Sequence, residues 1–228
     1  MSERSSSYRD PFEDRRLEAE LSDDGSVAPR RLVLASGSAT RLRVLRDAGL
    51  DPEVVVSGVD EDVGSLDAAR AVAALAVRKA TAVAERRPDA LVFACDSMLD
   101  LDGRPLGRPS AAQEVIEVWR RLSGRQAALY TGHCLVAPRS GQRVVEVART
   151  LVRFGTPSNE EIAAYVATGE PMEMAGCFSI QGLGAPFVDG VDGDPNNVLG
   201  LSVSLLRRML AEVGVAITDL WRRPPRPA

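Results

Sequence analysis

The chain reads as an α/β protein built on a mixed, twisted sheet with flanking helices. Three observations predict this. From residue 30 to 221, apolar runs of strand length alternate with segments of helical period, the pattern of a sheet covered by helices. Ala90-Leu91-Val92-Phe93-Ala94 is a continuous apolar run, as in a strand buried on both faces. Ala127–Ala137 and Arg143–Phe154 form a long hairpin around Arg139-Ser140-Gly141-Gln142, and its antiparallel pairing makes the sheet mixed.

Taken in order, residues 1–29 are rich in Ser, Arg, Asp and Glu and lack a sustained apolar period. They are expected to be a disordered extension with a short helix near Pro11–Leu21. Leu32-Val33-Leu34-Ala35 is a strand, and Leu42, Leu45 and Ala48 lie on one side of the helix that follows. Gly49 closes that helix as a C-cap glycine. Glu53–Val56 is a second strand, Gly58–Asp62 an acidic loop, and Leu66 to about Glu85 a long Ala-rich helix. The buried run at 90–94 finishes at Cys95-Asp96-Ser97. Met98–Leu101 continues extended to a turn at Asp102-Gly103. Ser110–Gln113 reads as a capping box opening a helix that buries Val115, Ile116, Val118, Trp119 and Leu122. A second capping box, Ser158–Glu161, opens a helix through Val166. Met172–Asn197, rich in Gly, Pro and Asp, is a loop-dominated rim, and Ser202–Val213 is a closing amphipathic helix. Residues 30–221 thus make a single domain, and 222–228 a flexible tail.

The composition narrows the chemistry. No apolar run approaches the ~20 residues of a membrane span, and no basic-then-apolar leader opens the chain, so a cytoplasmic location is the default expectation. Three separated cysteines without a C-x-x-C spacing argue against a disulfide framework and a zinc site. With His133 the only histidine, a metal here would be a hard one held by carboxylates, Mg²⁺ or Mn²⁺. His133 itself reads as a structural residue in a strand. The net charge of −4 speaks against general nucleic-acid binding but allows a small polyanion where basic groups converge.

Between the first strand and helix stands Ser36-Gly37-Ser38-Ala39. Its free backbone N–H groups and the helix dipole suit an anion, above all a phosphate. Ser36 and Ser38 add hydroxyls and Arg41 a cationic fork, although an ordinary serine N-cap accounts for the same residues. Asp96, placed just after a buried strand, suits a general base, a metal ligand or both. Glu61 belongs to the acidic loop, and Lys79 to a helix where an exposed lysine is the ordinary reading. Arg108, between Gly107 and Pro109, has a rigid backbone suited to a preorganised cation. Gln181, in a Gly-rich turn, carries both a donor and an acceptor for a base edge.

Leu34-Ala35-Ser36-Gly37-Ser38-Ala39-Thr40-Arg41 resembles the opening L-A-S-x-S-P-R-R signature of the Maf family of septum-formation-type nucleotide pyrophosphatases. Further pieces follow in the family's order. Val59-Asp60-Glu61 resembles V-D-E, Leu75–Ala80 resembles L-A-x-x-K-A, and Ala94–Ser97 resembles the A-D-T element. Leu106–Pro109 resembles L-G-K-P, and Leu122-Ser123-Gly124 with Thr131-Gly132 resembles L-S-G…T-G. Ala175–Gly182 resembles A-G-x-Y-x-I-Q-G, and Asp192–Leu201 resembles G-D-x-x-N-V-x-G-L.

The resemblance implies a Mg²⁺- or Mn²⁺-dependent hydrolase that cuts nucleoside triphosphates to monophosphate and pyrophosphate. It implies an inosine-triphosphate-pyrophosphatase-like fold with two lobes around a deep cleft, often a homodimer, and a link to arrest of cell division. It places Asp96 on the catalytic aspartate, with Glu61 helping to hold the metal, and Ser36, Arg41, Lys79, Arg108 and Gln181 on the substrate. Thr40 and Ala39 depart from the family's P-R, Arg108 replaces a lysine, and Met174 stands where a pyrimidine-specific subgroup has lysine. Gln181 matches that subgroup. Two other readings compete: a regulatory nucleotide binder with decayed catalysis, and a nucleotidyltransferase, for which no second-substrate signature is present.

Overall fold

The structure, a computed structural model, describes residues 31–138 and 140–222. The expected N-terminal extension and its short helix, Arg139 of the hairpin turn, and tail residues 223–228 lie outside the described residues.

The chain opens with β1 (Leu32–Leu34) and α1 (Ala39–Asp47). Ser38 caps α1, its hydroxyl accepting from Arg41 N, and Gly49 takes the left-handed φ of 82° that ends it. β2 (Glu53–Val54) is shorter than the expected 53–56: Val55 N still donates to Leu34 O, after which the chain leaves the sheet. α2 (Ala68–Ala84) starts where Asp67 caps the Arg70 amide.

β3 (Leu91–Leu101) and β4 (Arg104–Leu106) turn through Asp102 and Gly103, both at positive φ, as a two-residue hairpin requires. α3 (Ala112–Leu122), β5 (Gln126–Val136), β6 (Arg143–Phe154) and α4 (Asn159–Ala167) follow. The hairpin of β5 and β6 pairs Gln126 with Arg153 through to Val136 with Arg143. Short 3₁₀ turns then lead to β7 (Val188–Asp192), α5 (Pro195–Val198) and α6 (Val203–Glu212).

The sheet order is β2-β1-β3-β5-β6-β7, with β4 on β3. β1 runs parallel to β2 and β3, and the remaining pairs are antiparallel. This is the expected mixed α/β sheet. Within the rim expected to be loop, Val188–Asp192 is a strand on the edge of β6.

Two readings need correction. The Ser158–Glu161 capping box forms, but the one at Ser110–Gln113 does not. α3 begins at Ala112 behind Ala111, and it is Glu114, not Gln113, that reaches back to the Ser110 amide and hydroxyl. Nor does the buried strand end at Asp96. β3 runs unbroken through it to Leu101 because β5 pairs with it throughout, Asp96 facing Gly132.

Alternation along β3 divides the interior. Val92 and Ala94 face α2, packing with Ala76, Ala80 and Val83. On the opposite face, Leu91, Phe93 and Cys95 join a core with α1 and α6, whereas Leu99 and Leu101 join a second core with α3 and α4. Two lobes therefore share one sheet, and Asp96–Met98 lie where they meet.

Candidate active site

The site is a gap in the sheet. On the side of β3 away from β5, β1 pairs only through Phe93, and β4 begins at Leu99. Cys95 to Met98 have no strand neighbour there among the described residues. Asp96 lies beyond the end of the parallel strand β1 although it sits mid-way along β3, so the crevice at the carboxyl end of β1 is where it opens.

From the α2 face come the charges. Lys79 Nζ lies 2.5 Å from Asp96 Oδ1 and 2.7 Å from Glu61 Oε1. The lysine is buried rather than exposed, at 7%. Two devices deliver it. Gly132, opposite Asp96, lets the α2 backbone press onto the sheet: a Cβ there would sit 2.2 Å from Val72 O. Arg78 Nη1 binds the Asp60 and Asp62 carbonyls at 3.3 and 2.5 Å, holding the acidic loop on either side of Glu61.

From the other face comes Arg41. Its Nε donates to Gly200 O at 2.9 Å, Nη1 to Ser36 Oγ at 3.2 Å and Nη2 to Ser97 Oγ at 3.1 Å. Ser36 is buried and also accepts from the Ser38 amide at 3.2 Å. Cys95 lies on the same face of β3 as Ser97, and burial pushes its thiol up to about 12 and keeps it protonated despite the Arg41 cation nearby.

The structure therefore brings together Ser36 with Arg41, and Glu61 with Lys79 and Asp96. It does not bring Arg108 or Gln181 into either group. Arg108 is exposed and bonds no described residue, although its backbone is anchored by Gly176 N on Gly107 O at 3.0 Å. Gln181 is exposed on the rim, where Arg43 Nη2 donates to its Oε1. Arg43 is one turn beyond Thr40 on α1, so a cation stands at the same side of the helix from which the family signature's first arginine is missing. Behind the rim, the Glu170 carboxylate accepts from Leu183 N, Gly184 N and the Tyr165 hydroxyl at 3.0, 2.9 and 3.0 Å.

The lone histidine is structural, as expected. Burial pushes its pKa down to about 4, and its neutral Nε2 accepts from Ser202 N at 2.9 Å. Cys95, Cys134 and Cys177 are free and buried. Among the described residues no helix is long and apolar enough to cross a membrane.

The family model described as Maf-like protein matches residues 31–213, a span that contains every residue of the gap. The chain belongs to the Maf family. This Maf protein is 54% identical to a nucleoside triphosphate pyrophosphatase of Streptomyces coelicolor over 196 residues, 84% of this chain and 95% of that one. It is 51% identical to a nucleoside triphosphate pyrophosphatase of Mycobacterium sp. strain JLS over 207 residues, 85% and 99% of the two chains. Among solved structures, the Staphylococcus aureus Ham1 protein aligns with a TM-score of 0.41 and 18% identity over 55% of this chain and 72% of that one.

The sequence reading did not single out Arg43, Arg78, Gly132 or Glu170. Arg78 and Gly132 adjoin or oppose site residues inside quoted motifs, a usable signal. Arg43 acts through Gln181, 138 positions away, and Glu170 through the irregular turn that folds back over it, neither of which a local pattern shows.

Proposed function

We propose that this Maf protein hydrolyses nucleoside triphosphates to a nucleoside monophosphate and pyrophosphate. The observation that carries the reading is the convergence of Asp96 and Glu61 on Lys79 in the sheet gap, with Arg41 fixed on the gap's other face. The names of its close relatives point the same way.

A triphosphate carries about four negative charges, and water attacks its α–β linkage only when that charge is screened. Arg41 presents a planar fork, suited to two phosphate oxygens at once. The Ser36–Ser38 turn contributes backbone N–H groups at the start of α1. Arg108, exposed and bonded to no described residue, is a further cation to turn toward the substrate. Asp96 takes the proton from the attacking water, and Lys79 offsets the charge of both carboxylates. Gln181 meets the base at the rim, with its carbonyl oxygen held by Arg43.

The donor set fits a divalent cation through the carboxylate oxygens that Lys79 leaves over. Asp96 Oδ1 and Glu61 Oε1 meet on its ammonium, and the second oxygen of each carboxylate is left for a metal. Hard oxygen donors shared with a substrate's phosphates are what Mg²⁺ or Mn²⁺ takes. Asp96 and Glu61 would hold it, and bound there it would neutralise phosphate charge.

The test is Asp96→Asn, assayed for monophosphate and pyrophosphate with folding checked by circular dichroism. The reading requires turnover to fall at least about a thousandfold in folded protein; near-normal turnover would remove Asp96 from catalysis. A second reading, a nucleotide binder with weakened catalysis, is favoured by the Lys79 ammonium lying against both carboxylates. It requires tight nucleotide binding with no product over hours.

A further inference from the structure

Arg41 is held by more than its neighbours. A guanidinium can only donate hydrogen bonds, so at the 3.1 Å contact Ser97 Oγ must accept. At the other end, Thr131 Oγ1 lies 3.1 Å from Asn197 O, a carbonyl that can only accept, so Thr131 spends its single proton there. The contact of 3.0 Å between Ser97 Oγ and Thr131 Oγ1 is then fixed in sense: Ser97 donates and Thr131 accepts.

The result is a one-way chain: Arg41 to Ser97, Ser97 to Thr131, Thr131 to Asn197. Each hydroxyl gives one bond and takes one, and such chains polarise along their length. The chain also closes on itself. Asn197 O accepts from Gly200 N at 3.0 Å, and Gly200 O accepts from Arg41 Nε at 2.9 Å. Thr131 and Asn197 are fully buried, and the Asn197 amide is tied to Thr150 Oγ1 at 3.1 Å. Three of the five Arg41 N–H groups face protein acceptors, leaving one on each terminal nitrogen for an anion.

We infer that Ser97, Thr131 and Asn197 are positioning residues that hold the Arg41 fork in the orientation that grips a phosphate. This rests on the proposed reading of Arg41 as a phosphate ligand. It assigns to Ser97 a task distinct from that of its neighbour Asp96, which points to the other face.

The test is a double-mutant cycle of Ser97→Ala and Arg41→Ala, read by calorimetric titration with inorganic pyrophosphate in Mg²⁺ buffer. Affinity is expected to fall about fivefold for Ser97→Ala in the native background and less than about twofold once Arg41 is absent, because neighbours acting through one contact do not add. Ser97→Thr, which keeps the hydroxyl, is expected to restore native affinity. Equal losses in both backgrounds, or no loss in the native one, would overturn the inference. The same variants assayed with nucleoside triphosphates separate the two claims. A cycle that holds for pyrophosphate while the native protein turns over no triphosphate leaves the chain standing and removes the pyrophosphatase reading.

Discussion

Lys79 Nζ is shared between Asp96 Oδ1 at 2.5 Å and Glu61 Oε1 at 2.7 Å, and it is the most deeply buried of the three. A buried ammonium needs its carboxylates, and a largely enclosed carboxylate needs its ammonium. Lys79→Met is therefore expected to cost about 2 kcal/mol of stability, less than a wholly buried pair because Glu61 is well exposed. Turnover should fall at least about a hundredfold. Urea denaturation and kcat on the same preparation measure both; unchanged kcat would place Lys79 outside the chemistry.

Gly132 sets the distance between α2 and the sheet. Its Cβ position lies 2.2 Å from Val72 O and 2.6 Å from Ala73 N, which are backbone atoms that cannot swing aside. Gly132→Ala should lift the helix that carries Lys79, costing about 2 to 3 kcal/mol through overpacking. Chemical denaturation checks the stability. A loss of activity exceeding that of a surface control such as Glu85→Ala checks that the helix serves the site.

His133 makes stability depend on pH. Its pKa, near 6.5 in the unfolded chain, is pushed down to about 4 in the fold by burial, so the folded state favours the neutral ring. A lowered basic pKa means that the unfolded chain binds the proton more readily. The contribution is present above pH 6.5 and is lost as pH falls from 6.5 toward 4, on the order of 3 kcal/mol in all. Unfolding free energies at pH 7.5 and 4.5, for native protein and His133→Gln, test this. The native protein should lose more than the variant, whose amide oxygen can accept from Ser202 N without titrating.

Glu170 holds the rim that carries Gln181. Removing its carboxylate in Glu170→Ala strands two backbone N–H groups, at Leu183 and Gly184, and the Tyr165 hydroxyl. The expected result is a KM raised about threefold to tenfold with kcat changed less, since the proposed role of the rim is to bind the base and not to react. Steady-state kinetics with the preferred triphosphate would show the split, and a fall confined to kcat would contradict it.

Local pattern made much of this fold legible. The β5–β6 hairpin follows from two long strand-type runs around a turn, and α4 from a capping box whose two bonds both form. Asp96 was harder to place. Cys95-Asp96-Ser97 looks like a strand end because polar residues interrupt an apolar run. The strand continues because β5 pairs with it throughout, and its polar residues are tolerated there because Lys79 meets Asp96 on one face and Arg41 meets Ser97 on the other. Both partners are distant in sequence, so no local signal reports them. β7 was hidden for a related reason: Val188-Asp189-Gly190-Val191-Asp192 has turn-like composition, and only β6 beside it makes it a strand. Ser36 and Arg41 were legible from the signature they share; what fixes Arg41 was not, since Gly200 lies 159 positions away.

A product assay decides whether this Maf protein cuts a nucleoside triphosphate, and at which bond. Native protein is incubated with Mg²⁺ or Mn²⁺ and a panel of common and modified nucleoside triphosphates, and the nucleotide products are separated by chromatography. Cleavage between the α and β phosphates gives nucleoside monophosphate and pyrophosphate in equal amounts, with Asp96→Asn releasing both at least about a thousandfold more slowly. Nucleoside diphosphate and phosphate, or no product from folded protein with any of the panel, would contradict it.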